Sequence, residues 1–267
     1  YTGKEVTNRF DDTDINLYEG TKNQKITYLS RNDWQATYPK TNVKMIATNA
    51  KMVADMQYSS GIDKWTDENA TMPTYGTTTY SGGALKLVML KGLPFDNELW
   101  GNLLDQLTWE ETINLCGNSN HVIQSVESVA SPSVVAQDGP AGVKTSTTKD
   151  VPTFMAFPCG VVLASTFDDA LVEKVMEAFG LEMLHSGCGE IYGTGAGIHR
   201  SAYGGRNWEY FSEDGYLSGQ ILCAEVKGLQ KRGAIVNIKH LVLNDQEIYR
   251  CGVATFCNEK SMREIYL

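Results

Sequence analysis

The sequence holds no block of basic residues, and none of its apolar runs approaches the ~20 residues that a bilayer-spanning helix requires. Acidic side chains outnumber basic ones by 32 to 23, a net charge of -9, which argues against nucleic acid or an anionic membrane surface as partner. There are only four histidines, His121, His185, His199 and His240, and none falls in an H-E-x-x-H or comparable ligand spacing, so no metal site is expected. The six cysteines, Cys116, Cys159, Cys188, Cys223, Cys251 and Cys257, include no C-x-x-C pair. Set mostly among apolar or small neighbours, they read as buried free thiols and favour a reducing compartment such as the cytoplasm. Nothing at the start has the pattern of a signal peptide, and the first residue is Tyr1 rather than Met, which leaves processing or an upstream segment open. What is present is enough apolar and aromatic side chain, 42% and 10%, to fill one large core or two modest ones.

Texture divides the chain near residue 95. Residues 1–95 are rich in Thr, Asn, Ser, Gly and Tyr, as in NATMPTYGTTTYSGG from Asn69 to Gly83, and are expected to be a linker and accessory region with short strands at Lys25–Leu29 and Leu85–Leu90. A short helix is expected over Glu98–Leu107, and a second begins at Thr108, whose hydroxyl stands three residues before Glu111. From Ser133 onward, apolar runs at Val134–Ala136, Val161–Ala164, Glu190–Thr194 and Ala234–His240 read as strands. Asp168–His185 and Glu213–Lys231 carry apolar residues at helical spacing. Strand and helix in alternation predict an α/β fold with a parallel sheet, either doubly wound or a (β/α)8 barrel. Polar residues close several of the runs: Asp138, Ser165, and Lys239 with His240. Functional groups at successive strand ends favour the barrel over a single switch point.

The densest chemistry lies in GGRNWEYFSEDG, residues 204–215, where Trp208, Tyr210 and Phe211 interleave with Arg206, Glu209, Glu213 and Asp214. Charge runs are ordinarily solvated faces, but flat apolar surfaces beside hydrogen-bonding groups suit hydroxyl-rich ligands such as sugars. With Asp138 and with Lys239 and His240 they form a constellation of strand-end donors and acceptors: a carboxylate accepts sugar hydroxyls, an arginine and a lysine donate to them, and an imidazole does either. The glycine run Gly193–Gly197 has G-x-G-x-G spacing and is followed by IHRS instead of an apolar helix. It therefore reads as a loop at a strand end, not as a dinucleotide cradle.

The ordered motifs DGPAGV, FPCGVVLASTFD, GIHRSAYGGRNWEYFSEDGYLSG, IKHLVLNDQE and SMREIYL resemble the barrel of glycoside hydrolase family 3, over roughly Asn97 to Leu267. VTNRFDD and ITYLSRNDWQATYP are similar to the connecting region of members in which a sandwich domain precedes the barrel. The resemblance implies that residues 96–267 are the N-terminal half of a (β/α)8 barrel. It also implies a retaining hydrolase of terminal β-linked glucose or a related sugar, working through a covalent glycosyl-enzyme, with no cofactor. Asp138, Arg206, Lys239 and His240 are then the substrate-binding residues, Glu209 orients Arg206 or the lysine, and Lys144, His199 and Arg200 support the mouth. Three positions depart from the pattern: Gly215 for proline, Leu241 for phenylalanine, and Lys144 for arginine, the last putting a point charge where a planar fork is usual.

Retention requires two carboxyl groups. The family's nucleophile belongs to a Ser-Asp-Trp-like stretch on a later strand, and its acid/base to another domain. Asn32-Asp33-Trp34 precedes the first barrel strand in a polar region, so no catalytic residue is expected in this chain. Four barrel strands of eight would leave open parallel edges, so the remainder of a longer polypeptide, or a complementary chain, is the expected partner alongside a β-glucoside or oligosaccharide substrate. The alternatives are a sugar-binding or regulatory protein that kept the pocket without the carboxylates, and an α/β oxidoreductase, which leaves the motif set unexplained.

Overall fold

The computed structural model describes residues 82–144, 154–248 and 259–267, with residues 50, 250, 251, 255 and 257. The expected strand at Lys25–Leu29 and the Asn32-Asp33-Trp34 stretch lie outside the described residues, as does most of the region 1–95.

Local chemistry starts the helices. Helix α1 is Leu99–Leu104 and α2 is Trp109–Asn118. Thr108 Oγ1 accepts the Glu111 amide at 3.2 Å while Glu111 Oε2 accepts the Thr108 amide at 2.9 Å, so a reciprocal pair of bonds fixes where α2 begins. Asp168 does the same for the long helix, accepting from the Leu171 amide at 2.9 Å, and Asp214 accepts from the Tyr216 and Leu217 amides at 2.7 and 3.1 Å. Part of the charge in GGRNWEYFSEDG is thus a helix cap.

Four strands make one mixed sheet in the order β1 (Val122–Ile123), β2 (Val134–Asp138), β3 (Glu190–Gly195), β4 (Ile235–Lys239). The short β1 runs antiparallel to β2, whereas β2, β3 and β4 are mutually parallel. Between the strands come α3 (Gly160–Ala164), α4 (Asp169–His185) and α5 (Gly215–Gln230), and α6 (Glu259–Ile265) follows. Helices α4 and α5 pack closely against each other. Val172, Met176, Phe179, Met183, Ile191, Ile221 and Leu229 are buried in the core they share with β3. A smaller core gathers Leu85, Leu90, Leu103, Leu107, Val126 and Val129.

Four sequence expectations are corrected. Val161–Ala164 is not a strand but belongs to α3, with Leu163 and Ala164 buried, and Ser165 closes that helix by donating its hydroxyl to the Val161 carbonyl at 2.7 Å. A run of four apolar residues is too short for periodicity to separate helix from strand. The described parallel strands therefore number three, not four. Leu85–Leu90 is likewise no strand: Leu87–Leu90 is a 3-10 turn. The Leu85 backbone makes its bonds to the Gln106 side chain, at 2.6 and 2.8 Å, instead of to a ladder. Gln106 in turn lies beyond α1, which ends earlier than the expected Leu107. All six cysteines are free, but only Cys188 and Cys257 are buried, and Cys116, Cys223 and Cys251 are exposed.

Candidate functional site

Parallel register brings the carboxyl ends of the strands level. Asp138 pairs with Tyr192 across β2 and β3, and Gly195 with Lys239 across β3 and β4, so the last residues of β2 and β4 flank the end of β3. The chain leaving β3 then folds back over this edge as residues 196–214. Glycine makes the approach possible: a Cβ at Gly195 would stand 2.6 Å from the Glu209 carbonyl oxygen, and one at Gly197 would stand 2.7 Å from the Tyr210 ring. The Gly193–Gly197 run is thus the end of a strand and a packing surface for the loop. His199 Nε2 donates to the Tyr210 carbonyl at 2.9 Å and its amide to the Ser212 carbonyl at 3.0 Å, pinning the two arms of the loop together.

At the centre sits Glu209, 2% exposed, in a single 3-10 turn, Asn207–Glu209. It accepts Arg206 Nε at 2.5 Å and Nη2 at 2.7 Å as a two-point fork, and Lys239 Nζ stands 2.9 Å from its Oε1. Lys239 also donates to Asp138 Oδ1 at 2.8 Å. The structure thereby brings together Asp138, Arg206, Glu209 and Lys239, two carboxylates alternating with two cations. Burial by itself would raise the Glu209 carboxyl, but the bonds and charges of Arg206 and Lys239 outweigh it and hold the group below the ordinary glutamate value. Asp138 is held down in the same way, against its partial burial, by Lys239 and by the charge of Lys144. The exposures separate the roles: the Asp138 side chain is 40% exposed, that of Lys239 14% and that of Arg206 17%. Asp138 is the carboxylate that faces solvent, and Glu209 is the buried one that balances the cations.

His240 follows Lys239 and is half-buried, its Nδ1 2.7 Å from the Tyr210 hydroxyl. Burial, then the charges of Arg206 and Lys239, push its pKa down, so the ring is neutral at pH 7. Lys144 lies at the rim, 69% exposed and 3.9 Å from Asp138. Arg200 belongs to a separate group in which its charge acts on Asp245, whose Oδ2 accepts the Tyr266 hydroxyl at 2.6 Å. Of the aromatics in the loop, Tyr210 and Phe211 are buried while Trp208 is half exposed.

Residues that sequence reasoning had not singled out also meet here. Glu247 Oε1 lies 3.9 Å from Arg206 Nη1, and Asn244 bridges Glu247 and Tyr210. Both belong to the quoted IKHLVLNDQE stretch, but in a segment without regular structure no periodicity marks which side chains turn inward. Among the described residues no cluster of His, Cys, Asp and Glu is arranged to hold a metal ion, and no helix is long and apolar enough to cross a membrane.

No protein-family model matches the chain. It is 37% identical over 174 residues to thermostable β-glucosidase B of Acetivibrio thermocellus, an alignment covering 61% of this chain and 23% of that protein. Among solved structures it is similar to β-glucosidase 3B from Thermotoga neapolitana in complex with glucose, with 36% identity and a TM-score of 0.56 over 62% of this chain and 26% of that one. It is also similar to a GH3 β-glucosidase of Bifidobacterium adolescentis, with 34% identity and a TM-score of 0.56 over 61% of this chain and 24% of that one. The chain spans about a quarter of the length of these relatives.

Proposed function

We propose that this chain, a partial β-glucosidase-like region of glycoside hydrolase family 3, supplies the sugar-binding half of a retaining hydrolase that removes terminal non-reducing β-D-glucosyl or related residues. On this reading residues 96–267 are the N-terminal half of a (β/α)8 barrel and residues 1–95 a linker and accessory region. The remaining strands, the nucleophile and the acid/base come from the rest of a longer polypeptide or from a complementary chain.

The observation that carries the reading is the alternation of Asp138, Lys239, Glu209 and Arg206 at adjacent strand ends, with the carboxylate at one end of the series open to solvent. Asp138 accepts hydroxyl protons, while Lys239 and Arg206, held on Glu209, donate to hydroxyl oxygens, and His240 supplies a further bond. Such contacts raise the rate to the extent that they tighten as the ring flattens toward an oxocarbenium-like transition state. His199 and the glycines beneath Tyr210 keep the loop in place, and Lys144 adds positive charge at the rim. Arg200 supports the segment carrying Asp245 more than the mouth itself.

In the complete polypeptide, Asp138→Ala should lower kcat/KM for an aryl β-glucoside by roughly 100-fold or more, with the product released in its original anomeric configuration. The 267-residue chain alone should bind glucose weakly and hydrolyse the glucoside no faster than buffer. Unchanged kcat/KM in the variant removes Asp138 from the site, and glucose binding without turnover by the complete polypeptide favours the sugar-binding alternative.

A further inference from the structure

Behind His240 runs a series of polar side chains whose hydrogen-bond directions are fixed by their chemistry. It begins at Glu247, whose Oε2 accepts Arg250 Nη1 at 3.0 Å and whose Oε1 lies 3.9 Å from Arg206 Nη1. Flanked by two guanidinium groups, this carboxylate can only accept. Asn244 Nδ2 stands 3.0 Å from Glu247 Oε1, so the amide end facing it is the NH2 group and not the carbonyl. The same nitrogen lies 2.9 Å from the Tyr210 hydroxyl, to which it directs its second hydrogen. The Tyr210 oxygen is therefore an acceptor toward Asn244. Its own hydrogen remains to be donated, and His240 Nδ1 is 2.7 Å away. A neutral imidazole that accepts at Nδ1 carries its proton at Nε2.

The Tyr210 ring has little freedom to break this sequence. Gly195 and Gly197 lie against it so closely that a Cβ at either would stand 3.2 and 2.7 Å from ring atoms, and His199 holds its carbonyl. The ring stands edge-on to His240 at 78°, with centroids 5.9 Å apart.

We propose that Glu247, Asn244 and Tyr210 are positioning residues that hold His240 as its Nε2–H tautomer, so that the imidazole offers a hydrogen-bond donor to a hydroxyl oxygen of the bound sugar. The role in sugar recognition rests on the reading of His240 as a ligand of the glucosyl ring; the tautomer itself does not. With His240 as donor, the mouth holds three donating side chains, Arg206, Lys239 and His240, against one open acceptor, Asp138. A hydroxyl held by His240 then keeps its own proton for a carboxylate. A second role follows for the Gly193–Gly197 run and for His199, which fix the ring that sets the tautomer.

The test is nitrogen NMR of the imidazoles in the complete polypeptide labelled at histidine, with His240 assigned by the signals missing in His240→Asn. The native protein should show a bare Nδ1 and a protonated Nε2 at His240. In Asn244→Asp the new carboxyl shares one proton with Glu247, whose Oε1 lies 3.0 Å from that position, and the oxygen facing Tyr210 is then left with lone pairs only, so it takes the Tyr210 hydrogen. Nδ1–H then donates to the phenol oxygen, and the two nitrogen signals exchange character. If Asn244→Asp does not fold, Tyr210→Phe keeps the ring on Gly197 and removes only the hydroxyl, and the single tautomer should give way to a mixture. A protonated Nδ1 in the native protein, or unchanged His240 signals in the folded variants, overturns the proposal. The spectra are taken without sugar, and glucose is titrated separately. A protein with the expected tautomer that binds no glucose overturns the sugar-site reading and leaves the hydrogen-bond series standing.

Discussion

Two carboxylates within one network carry different burdens, and exposure is what separates them. Glu209 is almost wholly buried between Arg206 and Lys239, so replacing it with glutamine strips Arg206 of its two-point carboxylate, leaving only Glu247 at 3.9 Å, and leaves Lys239 only the more exposed Asp138. Breaking a buried pair from one side costs about 3 to 5 kcal/mol. Glu209→Gln is expected to lower the unfolding free energy of the complete polypeptide by about 3 kcal/mol in urea titrations, and to weaken sugar binding as a consequence. Asp138→Asn removes an exposed charge whose partner Lys239 keeps Glu209, so it should leave the urea midpoint nearly unchanged while glucose affinity drops. A larger stability loss in Asp138→Asn than in Glu209→Gln would reverse this assignment. Asp138, Lys239 and His240 stood out in the sequence because they close apolar runs, and Arg206 because it lies in the charged and aromatic loop. Which of the carboxylates is buried was not legible there, since it depends on a loop folding back over β3.

At the scale of the helix, two of the three glycines of α5 stand in opposite circumstances. A Cβ at Gly228 would stand 2.3 Å from the Glu173 carbonyl oxygen and 2.7 Å from Met176 Cβ, so the close approach of α4 depends on its absence. At Gly219 a Cβ would meet nothing within 4 Å. Gly228→Ala should destabilise by about 1 to 3 kcal/mol through overpacking against backbone that cannot withdraw. Gly219→Ala should stabilise by up to about 1 kcal/mol, because alanine loses less conformational freedom in a helix. Thermal unfolding of the two variants should therefore shift in opposite directions, and a common direction would show that α5 does not pack as described. Sequence periodicity places both glycines in the helix but does not distinguish them, because the neighbour comes from another helix.

For the molecule as a whole, carboxyl groups pull stability in opposite directions with pH. Asp138 and Glu209 have folded pKa values depressed below their unfolded ones. Their contribution is present above the unfolded carboxylate value and is lost as pH falls through the folded one. Glu225, buried in α5, is pushed by that burial from 4.5 up to about 8, and burial also raises Asp245. For both the favourable state is the protonated one; that of Glu225 is fully present below 4.5 and lost as pH rises toward about 8. The melting temperature should fall on acidification below the carboxylate range and also decline from weakly acidic to weakly alkaline pH. Glu225→Gln should flatten the second limb and leave the first. A melting temperature that rises steadily from pH 5 to 8 in the native protein would contradict the buried, protonated state of Glu225.

Features whose causes lie within a few residues were readable from the chain itself. The cap at Thr108, the helices begun near Asp168 and Glu213, the three parallel strands and the resemblance to family 3 all depend on local hydrogen bonds, periodicity of apolar residues, or ordered motifs. Features whose causes lie far apart were decided only by the packed molecule. An apolar run such as Val161–Ala164 became helix with Leu163 and Ala164 turned into the core and Val162 left exposed. Leu85 took its backbone bonds from Gln106, 21 residues on. Lys239 found Asp138 across 101 residues of chain because parallel pairing through β3 levels the strand ends. The order of charges along a sequence does not say which will share a boundary with solvent. Tyr210, Asn244 and Glu247 acquire a direction of hydrogen bonding only when an acceptor-only carboxylate and an imidazole are brought to the two ends of the same series.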